Sequence, residues 1–168
     1  MLTRRTLNAA LFLAGSALSA PLLALETPTT RPILTVSGKI GVKNAGDTAQ
    51  FDMQMIAALP QHSFTTSTPW YDKPVKFTGP LLSDLLAAVK ASGSSLSAVA
   101  INDYKINIPL NDVQKYKVIV ARLLDDKPMA VRDKGPLFVV YPFDSASELR
   151  TSTYYERSIW QLKALDVR

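Results

Sequence analysis

Apolar and polar positions alternate in short runs along most of the chain, and this pattern predicts more strand than helix. The predicted strands and extended segments cover residues 33–36, 64–68, 96–101, 105–110, 118–123, 129–132, 137–141 and 161–167. The clearest helix begins at Pro80, because proline is favoured in the first turn, and Gly93 follows where that helix should end. Its apolar face consists of Leu81, Leu82, Leu85, Leu86 and Val89. Shorter helices are predicted over residues 52–59 and 146–156.

The predicted helices do not alternate strictly with the strands, which argues against a doubly wound parallel sheet. We therefore predict an α+β fold with mixed β-sheets and short interspersed helices. The 168 residues suffice for one hydrophobic core, but they are too few for two ordinary domains once a leader is removed. Residues 21–168 are accordingly expected to form a single domain.

The first twenty residues have the three parts of a secretory signal peptide. Arg4 and Arg5 form the positive start, residues 7–18 form a short apolar run, and small residues follow at Ser19 and Ala20. The apolar run is too short to span a bilayer stably, so we expect removal of residues 1–20 and not a retained anchor. The arginine pair fits both a Sec signal and a twin-arginine signal. The mature protein is expected in the periplasm.

Charge and cysteine content narrow the classes of function. Removal of Arg4 and Arg5 lowers the formal net charge from +5 to +3. The chain has no polybasic run, so its charge does not indicate a nucleic-acid partner. The sequence contains no cysteine, which excludes thiolate metal ligands, cysteine nucleophiles and disulfides. The core must therefore hold the fold by itself.

Few residues point to hydrolytic chemistry. His62 is the single histidine, and its polar loop favours a surface role over a catalytic one. The serines between residues 92 and 97 lie outside a nucleophile-elbow context, and residues 38–41 lack the spacing of a phosphate-binding loop. Acid–base catalysis by paired carboxylates stays open, although no pair is distinctive.

A set of aromatic and polar residues near predicted turns is more informative. The aromatic members are Trp70, Tyr71, Phe77, Tyr104, Tyr141 and Trp160, and the polar members are Asn102, Asp103, Arg132, Lys134 and Arg157. Aromatic faces with amide, carboxylate and guanidinium groups suit a flat, nitrogen-rich heterocycle. The alternative is that the aromatic residues belong to the core and the charged residues to the solvated surface.

Four blocks, in order along the chain, carry a resemblance to a known family. They are residues 77–86 (FTGPLLSDLL), 102–110 (NDYKINIPL), 129–142 (MAVRDKGPLFVVYP) and 156–162 (ERSIWQL). Together they resemble the molybdopterin-binding oxidoreductase domain, which has the sulfite-oxidase fold. The resemblance covers the chain from about Ile33 to Val167 and implies that fold.

The chain departs from this family at the metal ligand. In the family, a molybdenum-binding cysteine lies four residues before an aromatic at the position of Trp70, and Thr66 occupies that place here. A neutral hydroxyl is a poor substitute for a soft thiolate on a transition metal. Phe77 replaces the tryptophan of the helix-opening motif, and few arginines are present to hold a cofactor phosphate.

The cysteine-free pattern resembles a branch of small periplasmic proteins that bind a reduced pterin without metal. Some members of that branch pass a pterin signal to the periplasmic domain of a membrane-bound diguanylate cyclase–phosphodiesterase, and the resemblance implies the same function here. The expected pterin-binding residues are Thr66, Trp70, Phe77, Asn102, Asp103, Tyr104, Arg132, Tyr141, Arg157 and Trp160. Asp103 is expected to pair with the pterin's 2-amino group and ring N–H, with shaping of its turn as the alternative.

Two other functions stay open on the sequence. One is a subunit of a molybdopterin oxidoreductase, whose metal would be held by the dithiolene and by ligands other than cysteine. The other is a structural module with an empty pocket. Metal content separates the oxidoreductase from the metal-free pterin binder.

Overall fold

The computed structural model describes residues 25–168, so the predicted signal peptide lies outside the described residues. Within them, three β-sheets and four short α-helices form an α+β fold with mixed strand directions, which confirms the predicted class. No helix in this part of the chain is long and apolar enough to cross a membrane.

The largest sheet has five strands and combines parallel and antiparallel pairs. In spatial order they are β2 (Ala49–Phe51), β1 (Leu34–Gly38), β11 (Leu162–Val167), β5 (Ser95–Ala100) and β6 (Lys105–Pro109). The pair β1–β11 is parallel, and the other three pairs are antiparallel. Buried residues such as Leu34, Val36 and Phe51 face the core, because alternate side chains of a strand point to opposite faces.

Two smaller sheets complete the β-structure. One contains β3 (Gln61–Thr68), β4 (Tyr71–Pro80), β8 (Leu123–Leu124) and β9 (Lys127–Pro128), and the other pairs β7 (Ile119–Ala121) with β10 (Phe138–Val140). Strand β4 passes so close to β7 that a Cβ atom at Gly79 would overlap the carbonyl oxygen of Val120. Only glycine permits this approach of the two backbones.

The four helices are short, and each depends on its contacts with the rest of the fold. They are α1 (Met53–Ala58), α2 (Leu82–Ala88), α3 (Leu110–Lys115) and α4 (Ser152–Arg157). The Asp52 carboxylate caps α1 by accepting a hydrogen bond from the Met55 N–H at 2.9 Å. Helix α2 buries Leu82, Leu85 and Leu86, three of the five residues on the predicted apolar face.

Three predicted elements require correction. Pro80 ends β4 and does not open α2, which begins at Leu82 and ends at Ala88, well before Gly93. The predicted helix over residues 146–156 is divided into a 3₁₀ turn at Ser147–Leu149 and the helix α4. The predicted strand over residues 129–132 is wrong.

A 3₁₀ turn at Val131–Asp133 replaces that strand. The carbonyl oxygen of Ala130 accepts hydrogen bonds from the N–H groups of Asp133 and Gly135, at 2.9 and 2.8 Å. These local bonds satisfy the backbone without a neighbouring strand, and Lys134 leaves the turn in the left-handed conformation. Helix α3 and strand β4 were both missed by the sequence analysis, because neither segment has a clear apolar period.

Candidate functional site

A pocket of about 360 Å³ opens where the turn between β5 and β6 meets α4 and the residues that follow it. The lining residues are Trp70, Ala100, Asn102, Tyr104, Tyr155, Glu156, Ser158, Ile159 and Trp160. We call this cavity the aromatic pocket, because four of these side chains are aromatic. Its volume lies in the range typical of small-molecule sites.

Trp70 is the centre of the aromatic wall. Its ring centroid lies 5.6 Å from that of Trp160 and 6.1 Å from that of Tyr155, and both contacts are edge-on. Phe138 and Phe143 support Trp70 from the core, with centroids at 5.5 and 6.0 Å. Such contacts favour a defined ring orientation. Trp160, which is 37% exposed, therefore rests on a fixed ring and keeps part of its surface open to a ligand.

Among the non-aromatic polar side chains that line the pocket, Glu156 and Asn102 have groups free to bind a ligand. Glu156 is exposed, and its carboxylate has no hydrogen-bond or ion-pair partner among the described residues. The Asn102 side-chain oxygen accepts from the Tyr104 N–H at 3.2 Å, which leaves the amide NH₂ free to donate. The Ser158 hydroxyl is already used, because it donates to the Tyr154 carbonyl at 3.0 Å.

Helix α4, which carries Tyr155 and Glu156, is anchored by its last residue. One Arg157 N–H donates to the Asp112 carboxylate at 2.7 Å, and the Tyr141 hydroxyl donates to the same oxygen at 2.9 Å. Burial and the nearby Asp112 charge raise the pKa of Tyr141 above its ordinary value, so this hydroxyl remains a donor. Arg157 and Tyr141 therefore position α4 and do not line the aromatic pocket.

The structure brings together four of the predicted binding residues, namely Trp70, Asn102, Tyr104 and Trp160. Phe77 is instead fully buried in the core, where its ring meets Phe138 edge-on at 5.7 Å. Arg132 lies on the surface, with its guanidinium 3.5 Å from the carboxylate of the adjacent Asp133.

Asp103 lies in the turn beside the pocket but is engaged elsewhere. Its carboxylate accepts a hydrogen bond from the Lys163 ammonium at 2.7 Å, and this bond lowers the pKa of Asp103. Its φ of 66° places it in the left-handed region that aspartate tolerates in turns. The Asp103 carboxylate is therefore held by a lysine on β11, and Glu156 is the carboxylate that lines the pocket.

Thr66 is 1% exposed and connects β3 to the 3₁₀ turn at Phe143–Ser145. Its hydroxyl oxygen accepts from the Asp144 N–H at 3.0 Å, and the Asp144 carboxylate accepts from the Ser67 N–H at 2.6 Å. The bond from Ser67 lowers the pKa of Asp144. No group of three or more His, Cys, Asp or Glu side chains within residues 25–168 is arranged to hold a metal. The Thr66 hydroxyl, which stands at the place of the family's cysteine, is thus committed to a hydrogen bond within the protein.

Sequence reasoning missed five lining residues, namely Ala100, Tyr155, Glu156, Ser158 and Ile159. Three of them belong to the closing block 156–162, from which only Arg157 and Trp160 were selected. One feature of the sequence could have identified two of them. Tyr155 and Glu156 place an aromatic ring next to a carboxylate at the start of that block. Comparison with known proteins assigns no family, since no family model matches this chain and no curated protein is a significant match to it.

Proposed function

We propose that this protein binds a reduced pterin in its aromatic pocket, without a metal, after export to the periplasm. The observation that carries the proposal is that Glu156, whose carboxylate has no partner among the described residues, lines the same pocket as Trp70, Tyr104 and Trp160. A pterin is flat and presents a 2-amino group beside a ring N–H. Aromatic side chains can stack on the faces of the pterin. A carboxylate can accept two parallel hydrogen bonds from the 2-amino group and the ring N–H. Glu156 takes the role first expected of Asp103.

The resemblance of the four sequence blocks to the molybdopterin-binding domain supports the same ligand class. It also leads us to propose the sulfite-oxidase fold for the domain.

The hydroxyl of Thr66 is engaged in structural hydrogen bonds, which supports a metal-free ligand. Elemental analysis of the purified protein should find far less than one molybdenum atom per chain. A value near one equivalent would favour the oxidoreductase.

Ligand specificity tests the proposed role of the carboxylate. Anaerobic calorimetric titration of the mature protein should give saturable binding of tetrahydropterin. The matching lumazine, which carries oxygen in place of the 2-amino group, should bind at least tenfold more weakly, because the carboxylate would face an acceptor. Absence of saturable pterin binding, or equal affinity for the two compounds, contradicts the proposal.

A pair of matched variants locates the site. Glu156→Gln should weaken tetrahydropterin binding at least tenfold, since a neutral amide cannot accept both hydrogen bonds. Asp72→Asn removes an exposed carboxylate on β4 outside the pocket and should leave the affinity unchanged. Equal effects of the two substitutions would place the ligand elsewhere.

We further propose that the periplasmic domain of a membrane-bound diguanylate cyclase–phosphodiesterase reads the filled pocket. The exposed large hydrophobic residues of the described chain are Ile101, Tyr104, Val131 and Trp160. Tyr104 and Trp160 line the pocket. Gln161 links the other two, because its carbonyl accepts from the Ile101 N–H at 2.9 Å and its amide donates to the Val131 carbonyl at 2.7 Å. Exposed apolar residues beside the opening of a pocket are typical of a surface that binds a partner protein.

Titration of that partner domain with this protein tests the relay. The affinity should differ with and without tetrahydropterin, because a ligand shifts an equilibrium only through differential binding. The partner should change the pterin affinity by the same factor. Identical affinities in both titrations would contradict the proposal that the partner reads the filled pocket. Pterin binding itself is tested separately, by the comparison with lumazine.

A further inference from the structure

Glu156 lines a second cleft as well as the aromatic pocket. This cleft has a volume of about 470 Å³ and is bounded by β5, β6 and α4. We call it the basic cleft, because Lys105, Arg157 and Arg168 line it and Glu156 is the one acidic residue among its described lining residues.

Uncharged donors from the β5–β6 hairpin converge on the basic cleft. Ser97 and Asn107 lie directly opposite each other in the antiparallel pair, so their side chains share a face, and Lys105 follows on that face two residues away. Ser97 is 4% exposed, and its hydroxyl makes no hydrogen bond with another described residue. The Asn107 amide and the Thr153 hydroxyl, from β6 and α4, are likewise without partners in the described chain. The cleft therefore combines several uncommitted donors.

The cleft retains charged hydrogen-bond donors that an anion can use. Lys105 forms no ion pair with a carboxylate of the described residues, and Arg157 gives one N–H to Asp112 while its guanidinium keeps further donors. Arg168 adds a third positive charge, although its Nε already donates to Asp166 at 3.1 Å. Two of these cations are already paired with aspartates, so the charged donors left to an anion are Lys105 and the remaining guanidinium N–H groups of Arg157 and Arg168.

We propose that the basic cleft is a binding site for a small oxyanion of the phosphate class. Lysine and arginine supply the charge, and the Ser97, Asn107 and Thr153 side chains supply short neutral donors to the remaining oxygens. The site stands independently of the pterin proposal, because its residues other than Glu156 do not line the aromatic pocket. The source is either free inorganic phosphate or the phosphate group of a larger molecule.

Titration of the mature protein with inorganic phosphate, followed by amide chemical shifts, tests the site. Binding should saturate and should shift the amides of Ser97, Asn107 and Thr153. Lys105→Gln should weaken binding at least fivefold, whereas Lys127→Gln, which removes an exposed charge on β9, should change it less than twofold. Glu156→Gln should tighten binding, because it removes the opposing charge.

Phosphate monoesters such as glycerol 3-phosphate distinguish the two sources at constant ionic strength. If the monoester binds more tightly, the site exists and its ligand is a larger phosphorylated molecule. If inorganic phosphate binds more tightly, the site exists and its ligand is the free ion. The proposal is overturned if phosphate binding does not saturate, or if Lys105→Gln and Lys127→Gln weaken it equally. Thermal unfolding of each variant verifies that the fold is retained.

Discussion

The Arg157 guanidinium and the Asp112 carboxylate meet at 2.7 Å and join α4 to α3. Asp112 is 7% exposed and accepts the Tyr141 hydroxyl on the same oxygen. A six-residue helix has little stability of its own. This buried connection, more than helix propensity, therefore holds Tyr155 and Glu156 at the aromatic pocket.

Removing the carboxylate from that connection should destabilise the protein. Asp112→Ala is expected to lower the free energy of unfolding by about 3 kcal/mol, because it leaves the Arg157 charge and the Tyr141 hydroxyl without their partner. Urea denaturation measures the change. Asp47→Ala, which breaks the exposed pair with Lys43, is the control and should have little effect. Similar midpoints for the two variants would argue against the anchoring role of Asp112.

Acid stability should depend on the cap of α1. Hydrogen bonds from the N–H groups of Met55 and Thr30 lower the pKa of Asp52 from 3.8 to about 2. A carboxyl group whose pKa is lowered on folding contributes stability above its unfolded pKa, and the contribution is lost as the pH falls towards its folded pKa. Asp52→Asn should therefore lower Tm at pH 6, and the difference from wild type should shrink between pH 4 and pH 2. A pH-independent difference in Tm would contradict this titration.

The two tryptophans of the pocket should differ in their importance for stability. Trp70→Ala is expected to lower the free energy of unfolding by about 3 kcal/mol or more, because the ring packs against four other aromatic rings. Trp160→Ala should cost about 1 kcal/mol, because its side chain is 37% exposed. Both should weaken tetrahydropterin binding. Chemical denaturation with calorimetry separates the two effects, and an unchanged affinity for Trp160→Ala would remove this ring from the site.

Gly79→Ala should destabilise the contact between β4 and β7. Its Cβ would overlap the Val120 carbonyl oxygen, and the cost is about 3 kcal/mol if the strands must move apart. Gly46→Ala is the matched control, since nothing lies within 4 Å of its Cβ and only its φ of +58° is unfavourable, a cost of about 1 kcal/mol. Equal unfolding midpoints would show that β4 and β7 tolerate the extra methyl group.

Local signals in the sequence predicted much of the fold. Leucines at helical spacing identified α2, and the Asn102-Asp103 pair identified the turn between β5 and β6, because both signals act within a few residues. The strand predicted at residues 129–132 failed for a related reason. Its apolar residues suit a strand, but the Ala130 carbonyl satisfies two N–H groups locally, and apolar pattern alone does not distinguish these outcomes.

For the candidate site, the sequence by itself determined the supply of aromatic and polar groups and the turn that carries Asn102 and Tyr104. The tertiary structure decided which groups are available to a ligand. Phe77 is committed to the core by Phe138, and Asp103 is committed to the surface by Lys163, which is sixty residues away in the chain. Glu156 lines the pocket because Asp112 anchors the neighbouring Arg157. Burial and pairing are set by contacts between distant segments, and no local pattern encodes them.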